Sequence, residues 1–365
     1  MDDALNVAGI KALIEEKGLE WQAGETPLAR LTVEEQRSRL GLRIPPGELE
    51  RLEARVLEAM AHEPAYVAFA GARDWRAVDG KSFITPVRDQ GDCGSCVAFA
   101  TVATIEAQAR IERKAPDWAI DLSEADLFFC GGGRRCSEGW WPPEALEYAR
   151  KSGIAAESCF PYEDRDVPCS GCDDKPKHML KVGRTYEIPG VAERKRHLDE
   201  HGPLIACMAV YRDFMAYKSG VYRAASRELL GYHAVCCVGY SEAEQAWICK
   251  NSWSERWGDR GFFKIGYGEA EIDTRFPMYG VGQISGTLAP AGDAEERGVA
   301  EYVAVQDGRA DGGVLLLAHV KGAWRSLVLP AGTAAAIVNA TFGATTVDVA
   351  FKGDRITDLR PVKQF

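Results

Sequence analysis

One stretch constrains this chain more than any other: Gln90-Gly-Asp-Cys93-Gly-Ser-Cys96-Val-Ala-Phe-Ala, followed by a run to Arg110 without glycine or proline. A glycine-containing loop that feeds an uninterrupted helical run predicts Cys96 at the start of a buried helix. There the positive end of the helix dipole favours thiolate over thiol, and free backbone N–H groups can receive developing negative charge. Gln90 lies on the same loop, from which its side-chain amide can reach the oxygen that the Cys96 N–H would meet. Together they read as an oxyanion hole.

A thiolate nucleophile needs an imidazole to take and return a proton. The chain has six histidines. His62, His178, His197 and His201 lie in strongly charged or turn-like surroundings, and His319 lies near the C-terminus. His233 instead opens the apolar run Ala234-Val-Cys-Cys-Val238 before Gly239-Tyr240, the pattern of a strand beside a core. Further on, Lys250-Asn251-Ser252-Trp253 offers an amide oxygen to the imidazole, with Trp253 placed to shield that bond from water. The segment Trp257-Gly-Asp-Arg-Gly-Phe-Phe263 then returns as a hairpin.

The blocks Gln90-x-x-Cys93-Gly-Ser-Cys96, Gly231-Tyr-His233-Ala and Lys250-Asn-Ser-Trp-x-x-x-Trp-Gly resemble the three signatures of the papain/cathepsin family of cysteine peptidases. Their order and spacing agree with the family over about residues 72–288. The resemblance implies an α+β fold in which a helical lobe and a β-barrel-like lobe meet at a cleft. It also implies a cysteine endopeptidase with Cys96, His233, Asn251 and Gln90 as catalytic set. Val97 stands where the family has Trp or Tyr after the nucleophile, so altered packing and rate are expected, not lost chemistry.

By the same resemblance, Cys136-Ser-Glu138-Gly139-Trp140-Trp141 corresponds to the family's Cys-Asn-Gly-Gly stretch. Gly139 is then expected to pair with the substrate residue two before the scissile bond, and Glu138 to add a charge near the groove. Trp140, Trp141, Cys207 and Ala234 would line an apolar pocket, and Trp253 would border the site. The pocket floor, within Gly268–Phe276, cannot be aligned. Cys93 is implied to bridge Cys136, and Cys130 to bridge Cys169 or Cys172, with Cys159 taking the one left over. Cys207, Cys236, Cys237 and Cys249 are read as buried apolar fillers. Cys169-Ser-Gly-Cys172 has metal-ligand spacing, but no second pair follows at the usual interval, so neither metal nor cofactor is expected.

With 365 residues the chain is too long for one ordinary compact unit. A net charge of -10 argues against a nucleic-acid binder, and no apolar run is long enough for a membrane span. The start Met1-Asp-Asp-Ala-Leu5 lacks the pattern of a secretory signal, whereas disulfides favour an oxidising compartment. Location therefore stays open between secreted or periplasmic, if a signal was removed, and cytoplasmic.

Three amphipathic stretches come first. Val7, Ile10 and Ile14 share a helical face ending at Gly18; Thr32 and Glu35 form a capping box before a short helix ending at Gly41; Leu49, Leu52, Val56 and Met60 form a stripe ending at Pro64. By resemblance residues 1–71 are an inhibitory prosegment of the short prokaryotic kind, against the plainer reading of a helical subdomain. The extended stretch Trp21–Pro27 is the expected cleft crossing. Protein or peptide substrates and this intramolecular inhibitor are the implied partners. Beyond Pro290, apolar runs at Tyr302–Val305, Val314–Val320, Leu327–Leu329, Ala335–Val338 and Thr346–Phe351 predict a small accessory β domain over residues 289–365. The rival readings are a silent peptide-binding homologue and a transpeptidase.

Overall fold

The computed structural model describes residues 6–63, 69, 71–172 and 175–288, together with the backbone of six strands between 296 and 362. Two compact units result, residues 1–288 and 289–365. The run Ala335–Val338 lies outside the described residues.

In the first unit the N-terminal helices form for local reasons and are held for tertiary ones. Helix α1 (Val7–Glu16) is capped by Asn6, whose Oδ1 accepts the Gly9 N–H at 2.8 Å. Strand β1 (Gln22–Ala23) follows. Helix α2 (Val33–Ser38) carries the capping box of Thr32 and Glu35, and helix α3 (Glu48–Ala61) starts after Gly47. None of these helices owns a core. Ile10 and Ile14 join the cluster that contains Phe214 and Met215, while Leu52 joins the one that contains Val97 and Trp141. Short helices gain most of their stability from such docking, which disfavours an independent helical subdomain.

The body of the unit begins with β2 (Ala72–Asp74) and the central helix α4 (Cys96–Glu112). Every residue from Cys96 to Arg110 is buried, so α4 is covered on all faces rather than amphipathic. Helix α5 (Pro142–Lys151), with proline at its start, packs beside it. Then come β3 (Ile154–Ala155), β4 (Met179–Ile188), helix α6 (Val191–Glu200), β5 (Leu204–Tyr211), β6 (Tyr217–Ser219), β7 (Val221–Tyr222), β8 (Leu229–Ser241), β9 (Ala246–Lys250), β10 (Phe262–Gly266) and β11 (Met278–Thr287). Strands β3-β4-β11-β5-β8-β9-β10-β7 form one sheet in that order, and β2 pairs with β8. The sheet is antiparallel except for the β10–β7 pair. This is the expected α+β arrangement, with a helical lobe around α4 and α5 against a β lobe whose long strand β8 carries His233.

Strand β1 pairs with β6, Gln22 opposite Ser219. The Trp21 indole N–H donates to the Arg223 carbonyl at 2.8 Å and Thr26 Oγ1 donates to the Met215 carbonyl at 2.6 Å. The stretch Trp21–Pro27 is thus an anchor on the β lobe and not the cleft crossing expected from its extended sequence. A buried tryptophan with a satisfied indole is a packing element.

The second unit is one sheet of β12 (Glu296–Val299), β13 (Tyr302–Gln306), β14 (Val314–Val320), β15 (Ala323–Leu329), β16 (Thr346–Lys352) and β17 (Arg355–Val362), in the order β12-β16-β17-β15-β14-β13.

Candidate active site

Cys96 is the first residue of α4, as its sequence context predicts. The loop before it is fixed from several sides: the Gln90 N–H donates to the Ser252 carbonyl at 2.9 Å, and the Tyr162 hydroxyl donates to the Gln90 carbonyl at 2.8 Å and lies 2.7 Å from Ser95 Oγ. A Cys93–Cys136 disulfide ties the loop to the opposite wall. Backbone N–H groups of Val97 and Ala234 point at the Cys96 sulfur, which puts the nucleophile beside the residue that follows His233.

His233 lies within β8, and Asn251 follows the end of β9, the neighbouring antiparallel strand. His233 Nε2 and Asn251 Oδ1 are 2.8 Å apart; because the amide oxygen can only accept, Nε2 carries the hydrogen. The other ring nitrogen, Nδ1, is buried without a hydrogen-bond partner, the state of a base not yet engaged. Trp253 stacks on the imidazole at 4.6 Å and 28° and so covers the His233–Asn251 bond. All four candidate catalytic residues come together at the mouth of α4.

The site is occupied by the chain itself. Residues 39–43 run through the cleft, directly after α2. Gln90 Nε2 donates to the Arg39 carbonyl at 2.9 Å and to the Cys93 carbonyl at 2.7 Å, and the Gly41 N–H points at Cys96. Leu42 pairs in parallel with Trp140: the Trp140 N–H donates to the Gly41 carbonyl at 2.8 Å, and the Arg43 N–H to the Trp140 carbonyl at 2.9 Å. On the other wall the Leu42 N–H donates to the Tyr232 carbonyl at 3.2 Å. The backbone of this strand therefore pairs with Trp140. Gly139, at φ 63°, lies against the Gly41 carbonyl, so it supplies room for the close approach of this strand.

Leu42 is 2% exposed and shares a buried cluster with Trp140, Trp141, Cys207 and Ala234. Burying such a side chain contributes about 1.5–3 kcal/mol. Phe276 and Tyr279 belong to the same cluster. The Glu138 carboxylate accepts the Arg135 N–H at 2.9 Å, and its carbonyl takes Arg43 Nε at 3.2 Å.

Burial sets the electrostatics of this closed arrangement. It pushes the Cys96 thiol up to about 11, against the opposing pull of the N–H groups of Ala234, Gly41 and Val97, so the helix dipole does not win here. It also pulls the His233 imidazole down to about 4, partly offset by the bond to Asn251. Both shifts favour the neutral pair over thiolate and imidazolium. The sequence gives no warning of this, because burial depends on the folded surroundings and not on the helix that Cys96 begins.

Residues that sequence reasoning passed over include Ser252, whose hydroxyl donates to Gln90 Oε1 at 2.7 Å and so orients the amide, and Tyr162. Ser252 was visible as part of Lys-Asn-Ser-Trp; nothing in the sequence marks Tyr162. The disulfides are Cys93–Cys136, Cys130–Cys169 and Cys159–Cys172, and Cys207, Cys236, Cys237 and Cys249 are free and buried. Among the described residues no helix is long and apolar enough to cross a membrane.

The family profile described as papain family cysteine protease matches residues 70–278. Cysteine proteinase 1 of Entamoeba histolytica is 32% identical over 250 residues, covering 66% of this chain and 74% of that protein. The thiol protease aleurain of Arabidopsis thaliana is 32% identical over 263 residues, 69% of either chain. Among solved structures, digestive procathepsin L2 proteinase from Tenebrio molitor larval midgut superposes with a TM-score of 0.60 at 25% identity, over 74% of this chain and 87% of that one.

Proposed function

This chain belongs to the papain family of cysteine proteases, and from that premise we propose a division of labour among its residues. It is a cysteine peptidase in its zymogen arrangement. Cys96 is the nucleophile, His233 its base and later its acid, Asn251 the group that fixes the imidazole, and Gln90 an oxyanion donor with the Cys96 N–H.

In the opened cleft the Cys96 proton passes to His233 Nδ1 and the sulfur attacks a peptide carbonyl carbon, forming a C–S bond and an oxyanion. The oxyanion collapses, the C–N bond breaks, and the imidazolium returns its proton to the leaving amine. Water then gives a proton to His233 and attacks the thioester, releasing the acid and restoring the thiol. Residues 1–71 inhibit by placing the strand 39–43 over Cys96 and Gln90, and removing that strand rehydrates the pair. Residues 289–365 are an accessory β unit without a role in the chemistry.

The observation that carries the reading is the Cys96 sulfur beside β8 with the tautomer of His233 set by Asn251 under Trp253. The test is to incubate the full chain with a peptide mixture under reducing conditions, as wild type and as Cys96→Ala. New fragments with the wild type alone support an endopeptidase. Peptides held without cleavage by both forms would support a silent binder, and spliced peptides a transpeptidase.

A further inference from the structure

The strand that blocks the cleft is also a record of what the cleft accepts. On one side of Cys96 it seats Leu42 in the apolar pocket; on the other it seats Arg39. The Arg39 guanidinium lies 2.6 Å from an Asp92 carboxylate oxygen and 3.4 Å from one of Asp89, and its side chain is only 13% exposed. Its backbone carbonyl is held by Gln90 Nε2 at 2.9 Å, so this cation sits beside the proposed oxyanion donor and not at a remote surface.

Both carboxylates are built into the loop that carries Gln90. Asp89 Oδ1 accepts the Gly91 N–H at 3.0 Å, which folds the carboxylate back over the loop. The Asp92 N–H donates to Asp164 Oδ2 at 3.4 Å, bringing a third carboxylate to the same rim. Gly91, at φ 59°, lies so close to the Asp164 side chain that a Cβ there would collide with it. Asp89 and Asp92 remain about half exposed even with Arg39 in place, at 51% and 63%, so nothing buries them beyond the reach of a substrate side chain.

We infer that Asp89 and Asp92 form a cationic-side-chain subsite on the leaving side of the scissile bond, and that Arg39 occupies it in the closed chain. The inference rests on the peptidase reading above. With the apolar pocket taking the residue two before the bond, the carboxylate pair lies across Cys96 from it and meets one of the two residues after the bond. Favoured substrates then carry an apolar side chain before the bond and Arg or Lys after it. Acidic residues there meet like charge. Because the carboxylates are half exposed, the preference is moderate and falls with salt.

The test compares kcat/KM for three quenched fluorescent peptides with Leu two before the bond and Arg-Arg, Ala-Ala or Glu-Glu after it. The enzyme is the full chain activated under reducing conditions, as wild type at low and high salt and as Asp89→Asn/Asp92→Asn. Arg-Arg is expected to exceed Glu-Glu by roughly tenfold at low salt, from attraction and repulsion combined, with Ala-Ala between them. High salt, or the double substitution, is expected to shrink the ratio to within about twofold. A ratio near one in the wild type, or a ratio that neither salt nor substitution changes, overturns the subsite while the peptidase reading stands. No cleavage of any of the three overturns the peptidase reading and the subsite with it. The salt comparison needs only the wild type, so a poorly folding variant does not spare the proposal.

Discussion

Gly41 crosses Gly94 so closely that a Cβ on Gly94 would lie 3.2 Å from the Gly41 Cα, and a Cβ on Gly41 would overlap the Gly94 carbonyl. The closed state therefore depends on a residue without a side chain at the point where the N-terminal segment passes the nucleophile loop. Gly41→Val cannot seat there without displacing backbone. Overpacking of this kind costs about 1–3 kcal/mol, a shift of roughly 5–150-fold towards the open cleft. The intact variant is expected to turn over peptide without the lag of the wild type, measured as initial rate before any change in chain mass. A lag equal to that of the wild type would contradict the seating.

Gln90 acts on the oxygen that develops charge, and Ser252 holds its amide in place. Gln90→Ala is expected to lower kcat by about 10²–10³-fold with little change in KM, as for loss of one oxyanion donor. Steady-state kinetics on an activated form decide it. A KM effect alone would make Gln90 a binding residue.

Asn251 fixes the imidazole without touching substrate. Asn251→Ala is expected to reduce kcat by about 10–100-fold, the size typical of a partner that orients a histidine, and Asn251→Gln to recover part of it. The bond to Asn251 raises the buried imidazole, so its loss should lower it further and move the acid limb of the kcat/KM profile to lower pH. An unmoved limb with reduced kcat would point to lost packing.

Stability should respond to pH with opposite signs from two sets of groups. Burial holds His233 and His197 at about 4, below the ordinary 6.5. The unfolded chain takes up protons there that the folded chain refuses, so stability falls as pH drops from 6.5 towards 4. Glu157, pushed up to about 8 chiefly by burial, has the reverse sign: stability falls as pH rises from 4.5 through 8. The two trends oppose each other between pH 4.5 and 6.5 and only the carboxyl's continues above, so calorimetric Tm is expected to peak at about pH 6.5 by that balance of protons bound, and Glu157→Gln to weaken the alkaline fall while steepening the acid side. An alkaline limb unchanged in that variant would refute the assignment.

Much of this was legible because the chemistry is local. A loop feeding a glycine-free helix announces Cys96, an apolar run after one histidine announces β8, and Thr32 with Glu35 announces α2. The cleft crossing was not legible. Trp21–Pro27 looks extended, yet Trp21 is a packing residue of the β lobe; the crossing is Arg39–Arg43, whose fitness depends on Gly41 meeting Gly94 and Gly139 from distant parts of the chain. The pairing of Leu42 with Trp140 has the same origin, since register in an isolated pair is set by the partner strand and not by the sequence of one edge. The raised thiol at Cys96 likewise comes from burial, which local helix-dipole reasoning does not include.

The central claim is a competent Cys96–His233 pair shut by the protein's own strand, and the most direct measurement is labelling by a thiol-directed epoxide read by mass spectrometry. The account predicts slow labelling of the intact wild type at pH 7, fast addition of one equivalent at Cys96 in Gly41→Val, and loss of that fast reaction when His233→Ala is added. Cys96 unlabelled in the opened form, or peptide turnover that survives Cys96→Ala, would contradict it.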